Sequence, residues 1–78
     1  MTNILRKVVI KVNDKWTQTI ELSRVNGEIN KRTFWNFGMN ETRFDETNIT
    51  ISDRSFNEEL KNIASKVRHY GNRVLENI

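Results

Sequence analysis

The sequence predicts an α+β fold, in which a small antiparallel sheet of three to four strands is covered on one face by a C-terminal amphipathic helix, in the order β-β-β-β-α. Apolar and polar side chains alternate in the first half, turn-forming residues interrupt that alternation, and the last third spaces its apolar residues three and four apart. The 78 residues are expected to form one domain (1–78), with the sheet over about 4–52, a connecting loop over about 38–47 and the helix over about 55–76.

The first two strands are predicted to form a hairpin whose register follows from the position of their apolar rows. Residues 4–12 and 16–25 each alternate apolar with polar side chains. A three-residue loop at 13–15 pairs Val8 with Ile20 and brings both apolar rows to one face. A two-residue loop would send the rows to opposite faces, so the sequence favours the longer loop.

The strongest turn signal in the chain is Asn26-Gly27, because a type I′ turn needs positive φ at both central residues. A two-residue turn there begins a third strand over about 28–37 and pairs Trp16 with Phe37. The large aromatic residues on the helix side are then expected to form the core under the helix. They are Trp16, Trp35 and Phe37.

The remaining residues are predicted to form a loop, a short fourth strand and the helix. Residues 48–52 alternate Ile with polar residues, which indicates a strand. Ser55 followed by Glu58 is a capping-box pattern and predicts the start of the helix. Gly71 falls on the apolar stripe, where a close approach of another backbone would explain it. The stripe consists of Phe56, Leu60, Ile63, Ala64, Val67, Tyr70, Val74 and Ile78.

Composition and charge narrow the functional classes. The chain has no cysteine, so it can form neither disulfides nor thiolate metal sites. No apolar run approaches the roughly 18 residues of a membrane span, and a cytoplasmic location without a membrane partner is expected. The net charge of +3 leaves nucleic acid as a conceivable partner, but lacks the dense Lys and Arg of a DNA-binding arm. Abundant Asn, Lys and Ile without Pro are typical of AT-rich genomes, such as those of phages, mobile elements and low-GC bacteria.

No catalytic, cofactor-binding or metal-binding constellation is visible in the sequence. His69 is the only histidine, and no carboxylate lies four residues from it to complete a metal pair on a helix. The acidic residues of the loop, Glu41, Asp45 and Glu46, do not have the spacing of a calcium loop. We therefore expect a protein that is not an enzyme and binds neither cofactor nor metal.

The most informative predicted surface is the face of the sheet opposite the helix, called the open face below. The predicted register places three rows across it: Lys7–Glu21–Arg32, Val9–Thr19–Phe34 and Lys11–Thr17–Asn36. Phe34 is expected to be exposed among cations. Such a surface suits single-stranded nucleic acid, which stacks on aromatic rings, and equally suits a protein partner. A solvated face with a cross-strand charge row is the third interpretation, and Glu21 within the patch weakens the nucleic-acid interpretation.

These observations favour a small non-catalytic interaction protein, of phage or mobile-element origin, that binds and inhibits or modulates a host protein or nucleoprotein complex, as anti-CRISPR and other anti-defence proteins do. The alternative is a nucleic-acid-binding module that uses the basic and aromatic open face. A homodimer is also left open, because a bare third or fourth strand would let the sheet continue into a second copy. The residues predicted to contact the partner are Lys7, Lys11, Arg32, Phe34, Arg43 and Phe44.

Overall fold

The computed structural model describes residues 2–78 and shows one antiparallel sheet of five strands with one α-helix. The elements are β1 (Thr2–Lys11), β2 (Trp16–Val25), β3 (Glu28–Phe37), β4 (Phe44–Ile51), α1 (Asp53–Tyr70), a 3₁₀ turn (Gly71–Arg73) and β5 (Val74–Asn77). The order across the sheet is β4-β3-β2-β1-β5. The predicted α+β class is confirmed, but the sheet has five strands where three to four were expected. Within residues 2–78, no helix is long and apolar enough to cross a membrane.

The first hairpin has the predicted register from Arg6 to Lys11, and a bulge between Ile4 and Arg6 shifts the pairing by one residue at the start of β1. Val8 lies opposite Ile20, and the backbone N–H of Val12 donates to the carbonyl oxygen of Trp16 at 3.0 Å, which closes the three-residue loop. The side-chain oxygen of Asn13 accepts a hydrogen bond from the backbone N–H of Trp16 at 2.9 Å. This Asx-type contact stabilises the loop locally and helps to set the register that the apolar rows require.

The second hairpin is also as predicted. Asn26 and Gly27 have φ of 50° and 83°, the positive values that a type I′ turn requires. Trp16 lies opposite Phe37 in the resulting β2–β3 register. All three predicted rows of the open face are present as cross-strand pairs.

The helix begins two residues before the predicted start at about residue 55. Asp53 is its first residue, and the Ser52 hydroxyl caps it by accepting a hydrogen bond from the backbone N–H of Ser55 at 3.2 Å. The capping box predicted at Ser55 and Glu58 is therefore wrong. Serine is a favourable N-cap residue, so both Ser52 and Ser55 could start a helix. The chain leaves the sheet directly after Ile51, the last residue of β4, and Ser52 is therefore the first serine in position to cap the helix.

The helix also ends earlier than predicted, at Tyr70 instead of about residue 76. Gly71 has φ 55° and ψ −118°, and its backbone N–H donates to the carbonyl oxygen of Val67. No atom lies within 4 Å of a Cβ built at Gly71, so the expected close approach of a second backbone is wrong. The glycine is explained by its positive φ, which ends the helix.

Beyond this turn, the chain forms a fifth strand that the sequence did not predict. β5 pairs with β1, with Ile10 opposite Val74 and Val9 opposite Glu76. The backbone groups of Lys7 and Ile78 exchange two hydrogen bonds of 3.2 and 2.9 Å and extend the pairing to the end of the chain. Val74 packs against the core. A helix continuing through residue 74 would also have turned this side chain towards the core, so the apolar pattern does not distinguish the helix from the strand.

The core lies between α1 and the strands β1 and β2. Its buried residues are Val8, Ile10, Ile20, Leu22 and Ile63. Ile63 is the buried residue of the helix, at 1% exposure, while its neighbour Ala64 is exposed. Lys31 also points to the helix side, where its ammonium forms an ion pair of 2.8 Å with Glu59 of α1. This ion pair connects the helix to β3, a strand that contributes no residue to the buried core cluster.

The fourth strand is longer than predicted, and the loop before it is correspondingly shorter. β4 begins at Phe44, so residues 38–43 make the connection instead of 38–47. A bulge interrupts the β3–β4 pairing between the pairs Thr33–Thr47 and Trp35–Phe44. β4 is an edge strand, and every residue in it is exposed except the half-buried Ile51.

Candidate protein-interaction site

Four aromatic side chains lie together at one end of the sheet, on the same face as the helix. They are Trp16, Trp35, Phe37 and Phe44, called the aromatic cluster below. The Trp16 ring centroid lies 5.0 Å from that of Phe37, 5.5 Å from that of Phe44 and 6.4 Å from that of Trp35, each pair in an edge-to-face arrangement. Aromatic pairs prefer this arrangement because the positive ring edge meets the negative ring face.

The aromatic cluster stays outside the core that the helix covers. Phe37 is 45% exposed and Phe44 is 42% exposed, while Trp16 and Trp35 are half-buried. None of the four belongs to the hydrophobic core under α1, whose helical members are Phe56, Leu60, Ile63, Val67 and Tyr70. The prediction that Trp16, Trp35 and Phe37 form the core under the helix is therefore wrong. The core is aliphatic where it is fully buried.

Cross-strand pairing explains why these rings meet. Trp16 lies opposite Phe37, and Trp35 lies two residues before Phe37 on the same face of β3. The bulge in β4 then matters, because an uninterrupted register from Thr33–Thr47 would place Asp45 opposite Trp35. The bulge moves the pairing by one residue, so that Phe44 takes this place.

A groove of about 390 Å³ lies against the aromatic cluster. It is lined by Val12, Asn13, Trp16, Trp35, Phe44 and Asp45 and is called the aromatic groove below. Asp45 is the charged residue of this lining, and none of the ion pairs formed within residues 2–78 involves its carboxylate. The groove therefore combines mostly apolar walls with the amide residue Asn13 and one carboxylate.

The open face of the sheet differs from its prediction at its central aromatic residue. Phe34 is only 8% exposed, so the expectation of an exposed ring is wrong. The guanidinium carbon of Arg43 lies 4.3 Å from the centroid of the Phe34 ring, and that of Arg32 lies 5.6 Å from it. Arg43 comes from the end of the 38–43 connection, which folds back over the open face and covers the ring.

The cations of the open face are mostly engaged in ion pairs. The pairs are Lys7–Glu76 at 3.6 Å, Arg32–Glu21 at 3.4 Å and Arg43–Glu46 at 2.9 Å. Lys7 lies opposite Glu21 as predicted, but its ammonium forms an ion pair with Glu76 of β5. Lys11 is the cation of this predicted patch for which the described residues show no ion pair. The open face consequently presents neither an exposed stacking ring nor a group of unpaired cations.

The six predicted contact residues do not form one surface. Lys7, Lys11, Arg32, Phe34 and Arg43 belong to the open face, with Phe34 covered. Phe44 lies on the opposite face, in the aromatic cluster.

Sequence reasoning assigned Trp16, Trp35 and Phe37 to the core and did not connect Asp45 with them. One available signal was that two correctly predicted registers already brought Trp16, Trp35 and Phe37 to the same end of the sheet. The pairing of β3 with β4 could not be predicted from the sequence in this way, because a bulge shifts its register.

Within residues 2–78, no three His, Cys, Asp or Glu side chains are grouped as a metal site would require. The His69 ring makes an edge-to-face contact with Tyr70 at 4.9 Å between centroids.

No protein-family model, curated protein or solved structure matches the chain.

Proposed function

We propose that this chain is a small non-catalytic interaction protein, of phage or mobile-element origin, that binds a host protein or nucleoprotein complex through the aromatic cluster and the groove beside it, and inhibits or modulates it. The observation that carries the proposal is the exposure of Phe37 and Phe44 beside two tryptophans, in a chain whose buried helix-side core is aliphatic. Trp and Phe are enriched at the buried centres of protein interfaces. The phage origin and the inhibitory role rest on composition alone.

The exposed area of these rings is large enough to matter for binding. A buried aromatic side chain covers 150–250 Å², so the exposed parts of Phe37 and Phe44 together amount to roughly 160 Å². Covering that area contributes about 4 kcal/mol at about 25 cal/mol per Å². A partner would use this contribution to offset part of the entropy lost on association.

The rings are also held in fixed positions before a partner arrives. Three neighbouring strands supply them, and the edge-to-face contacts of Trp16 restrict each of the other rings. A surface that is already ordered loses little side-chain entropy on binding. This favours the sheet end as the contact surface over the 38–43 connection.

The second candidate function, a nucleic-acid-binding module using the open face, is less well supported. Single-stranded nucleic acid needs exposed rings for stacking and unpaired cations for its phosphates. Phe34 is covered by Arg43, and three of the cations are paired with carboxylates.

The test is an affinity purification from the organism that encodes the chain, at two salt concentrations and with and without nuclease. The baits are the wild type, Phe44→Ala and a control, Met39→Ala. Met39 is apolar and fully exposed but lies outside the aromatic groove. We expect a discrete protein partner that is retained by the wild type and the control and lost with Phe44→Ala, while circular dichroism shows that all three baits are folded.

Two results would contradict the proposal. One is a protein partner that is unaffected by Phe44→Ala but lost with a fourth bait, Arg43→Ala, which would move the contact to the open face. The other is recovery of nucleic acid alone, lost at the higher salt concentration, as expected when phosphate contacts supply the affinity.

A further inference from the structure

We infer that the aromatic groove binds an organic cation, and that in a protein partner this cation is a lysine or arginine side chain. This inference rests on the proposed function, since it names the group that the partner inserts. It goes further by assigning a positive charge to that group. A purely apolar contact surface would not distinguish a charged group from a neutral one.

The walls of the groove have the chemistry that recognises such a cation. Trp16, Trp35 and Phe44 line it, and the ring of Trp16 makes angles of 86° with Trp35 and 83° with Phe44. Trp16 is thus held edge-to-face against each of the other two aromatic walls of the groove. The negative face of an aromatic ring attracts alkylammonium and guanidinium groups, and Trp attracts them most strongly.

A carboxylate without an internal partner lies beside these walls. Asp45 lines the groove, and no Lys, Arg or His among residues 2–78 lies within ion-pair distance of it. Its neighbour Glu46, in contrast, is paired with Arg43 at 2.9 Å. The carboxylate is exposed and adds a negative charge beside the aromatic walls, within reach of a cationic group that enters the groove.

One backbone irregularity positions both parts of this site. Asp45 has φ 51°, an uncommon value for a residue other than glycine and one that Asp and Asn adopt more readily than most. The same bulge places Phe44 opposite Trp35. The carboxylate and the ring of the groove's β4 wall are thus fixed together by the pairing of β4 with β3.

One cation of the chain itself lies close to the groove. Arg73 donates a hydrogen bond of 3.4 Å to the backbone carbonyl of Val12, which lines one side. It forms no ion pair with Asp45. Replacing Arg73 with Gln is therefore expected to raise the affinity for a cationic ligand modestly, because a like charge near the site is removed.

The chain contains two tryptophans, and both line the groove, so their signals report directly on it. The experiment follows the indole N–H resonances and the tryptophan fluorescence of the folded protein. The first pair of probes is choline and its uncharged analogue, in which carbon replaces the quaternary nitrogen. The second pair is a short peptide with a central lysine and the same peptide with norleucine, which lacks the ammonium.

We expect each cationic probe to bind about two- to thirty-fold more tightly than its neutral counterpart, the range that cation–π contacts provide. Asp45→Asn should reduce this preference several-fold while keeping the bulge, since Asn also tolerates positive φ. Glu46→Gln is the matched control, because it removes a neighbouring charge that does not line the groove, and it should leave the preference unchanged.

Equal affinity for the charged and neutral probes would overturn the inference and leave an apolar groove without charge selection. Unchanged tryptophan signals with every probe would also overturn it.

These failures differ from failure of the proposed function. A partner lost with Phe44→Ala but no preference for cations would leave the proposed function standing. Cation binding without any protein partner would retain the site and remove the proposed function.

Discussion

Replacement of Gly71 with alanine tests whether the helix ends at Tyr70, because the two descriptions of the C-terminus predict opposite signs. In a helix that continues to about residue 76, alanine would stabilise the protein by about 1 kcal/mol relative to glycine. In the structure, Gly71 has φ 55° and ψ −118°, the mirror image of an extended conformation. Glycine adopts this conformation readily, whereas L-residues with a Cβ avoid it.

The expected magnitude follows from the conformation alone. A Cβ at Gly71 meets no atom within 4 Å, so packing neither opposes nor favours the substitution. Forcing a non-glycine residue into a sparsely populated region costs about 1–3 kcal/mol. The smaller backbone entropy of the unfolded alanine variant offsets about 0.4–1 kcal/mol of this. We expect a net loss of about 1–2 kcal/mol, and a melting temperature lowered by roughly 5–12 °C for a domain of this size.

The assay is urea and thermal unfolding followed by circular dichroism, with two controls. Asn62→Ala, at an exposed position inside α1, should stabilise the protein by about 0.5 kcal/mol through helix propensity and shows the sensitivity of the assay. A D-alanine at position 71 of a chemically synthesised chain should be neutral or stabilising, since its preferred conformations are the mirror images of those of L-alanine. A rise in stability with Gly71→Ala, like that of Asn62→Ala, would refute the early end of the helix and the fifth strand that depends on it.

Three further outcomes are expected. Ile63→Ala should lower the free energy of unfolding by about 2–5 kcal/mol, because Ile63 is 1% exposed against the core strands; a loss near zero in urea unfolding would contradict this core. Ser52→Ala should cost about 1 kcal/mol and Ser55→Ala less, and the reverse order would restore the later helix start. Ile49→Lys should reduce self-association at high protein concentration, measured by light scattering, because residues 47–51 of the β4 edge carry no charge. Leu75→Lys on the four-residue β5 should not, and equal effects would argue against pairing through β4.

The predictions that succeeded depended on residues close in sequence. The loop at 13–15 and the Asn26-Gly27 turn set the registers of β1, β2 and β3, because a hairpin register follows from its turn and from the two-residue period of its side chains. The α+β class followed from these hairpins and the helical stripe. The open-face rows were predictable for the same reason, including Lys7–Glu21–Arg32.

The candidate site was predictable only in part. The two local registers place Trp16, Trp35 and Phe37 at one end of one face, and this much follows from the sequence. Their exposure does not, because it depends on how far the helix reaches across the sheet. The position of Phe44 and Asp45 depends on a bulge in an edge strand, whose exposed residues impose little pattern on the sequence.

The sequence by itself determined the strands of the two hairpins, their facing residues and the presence of one amphipathic helix, since turn chemistry and side-chain period act over a few residues. Only the tertiary structure decided that residues 74–77 leave the helix to pair with β1, because Val74 faces the core in either conformation and the hydrogen bonds of a distant strand settle the choice. The same holds for Phe34, which the side chain of Arg43 covers, and for the rings left exposed in the aromatic cluster. Each of these outcomes depends on which residues, distant in the sequence, pack against the same surface. The local alternation of apolar and polar residues does not contain that information.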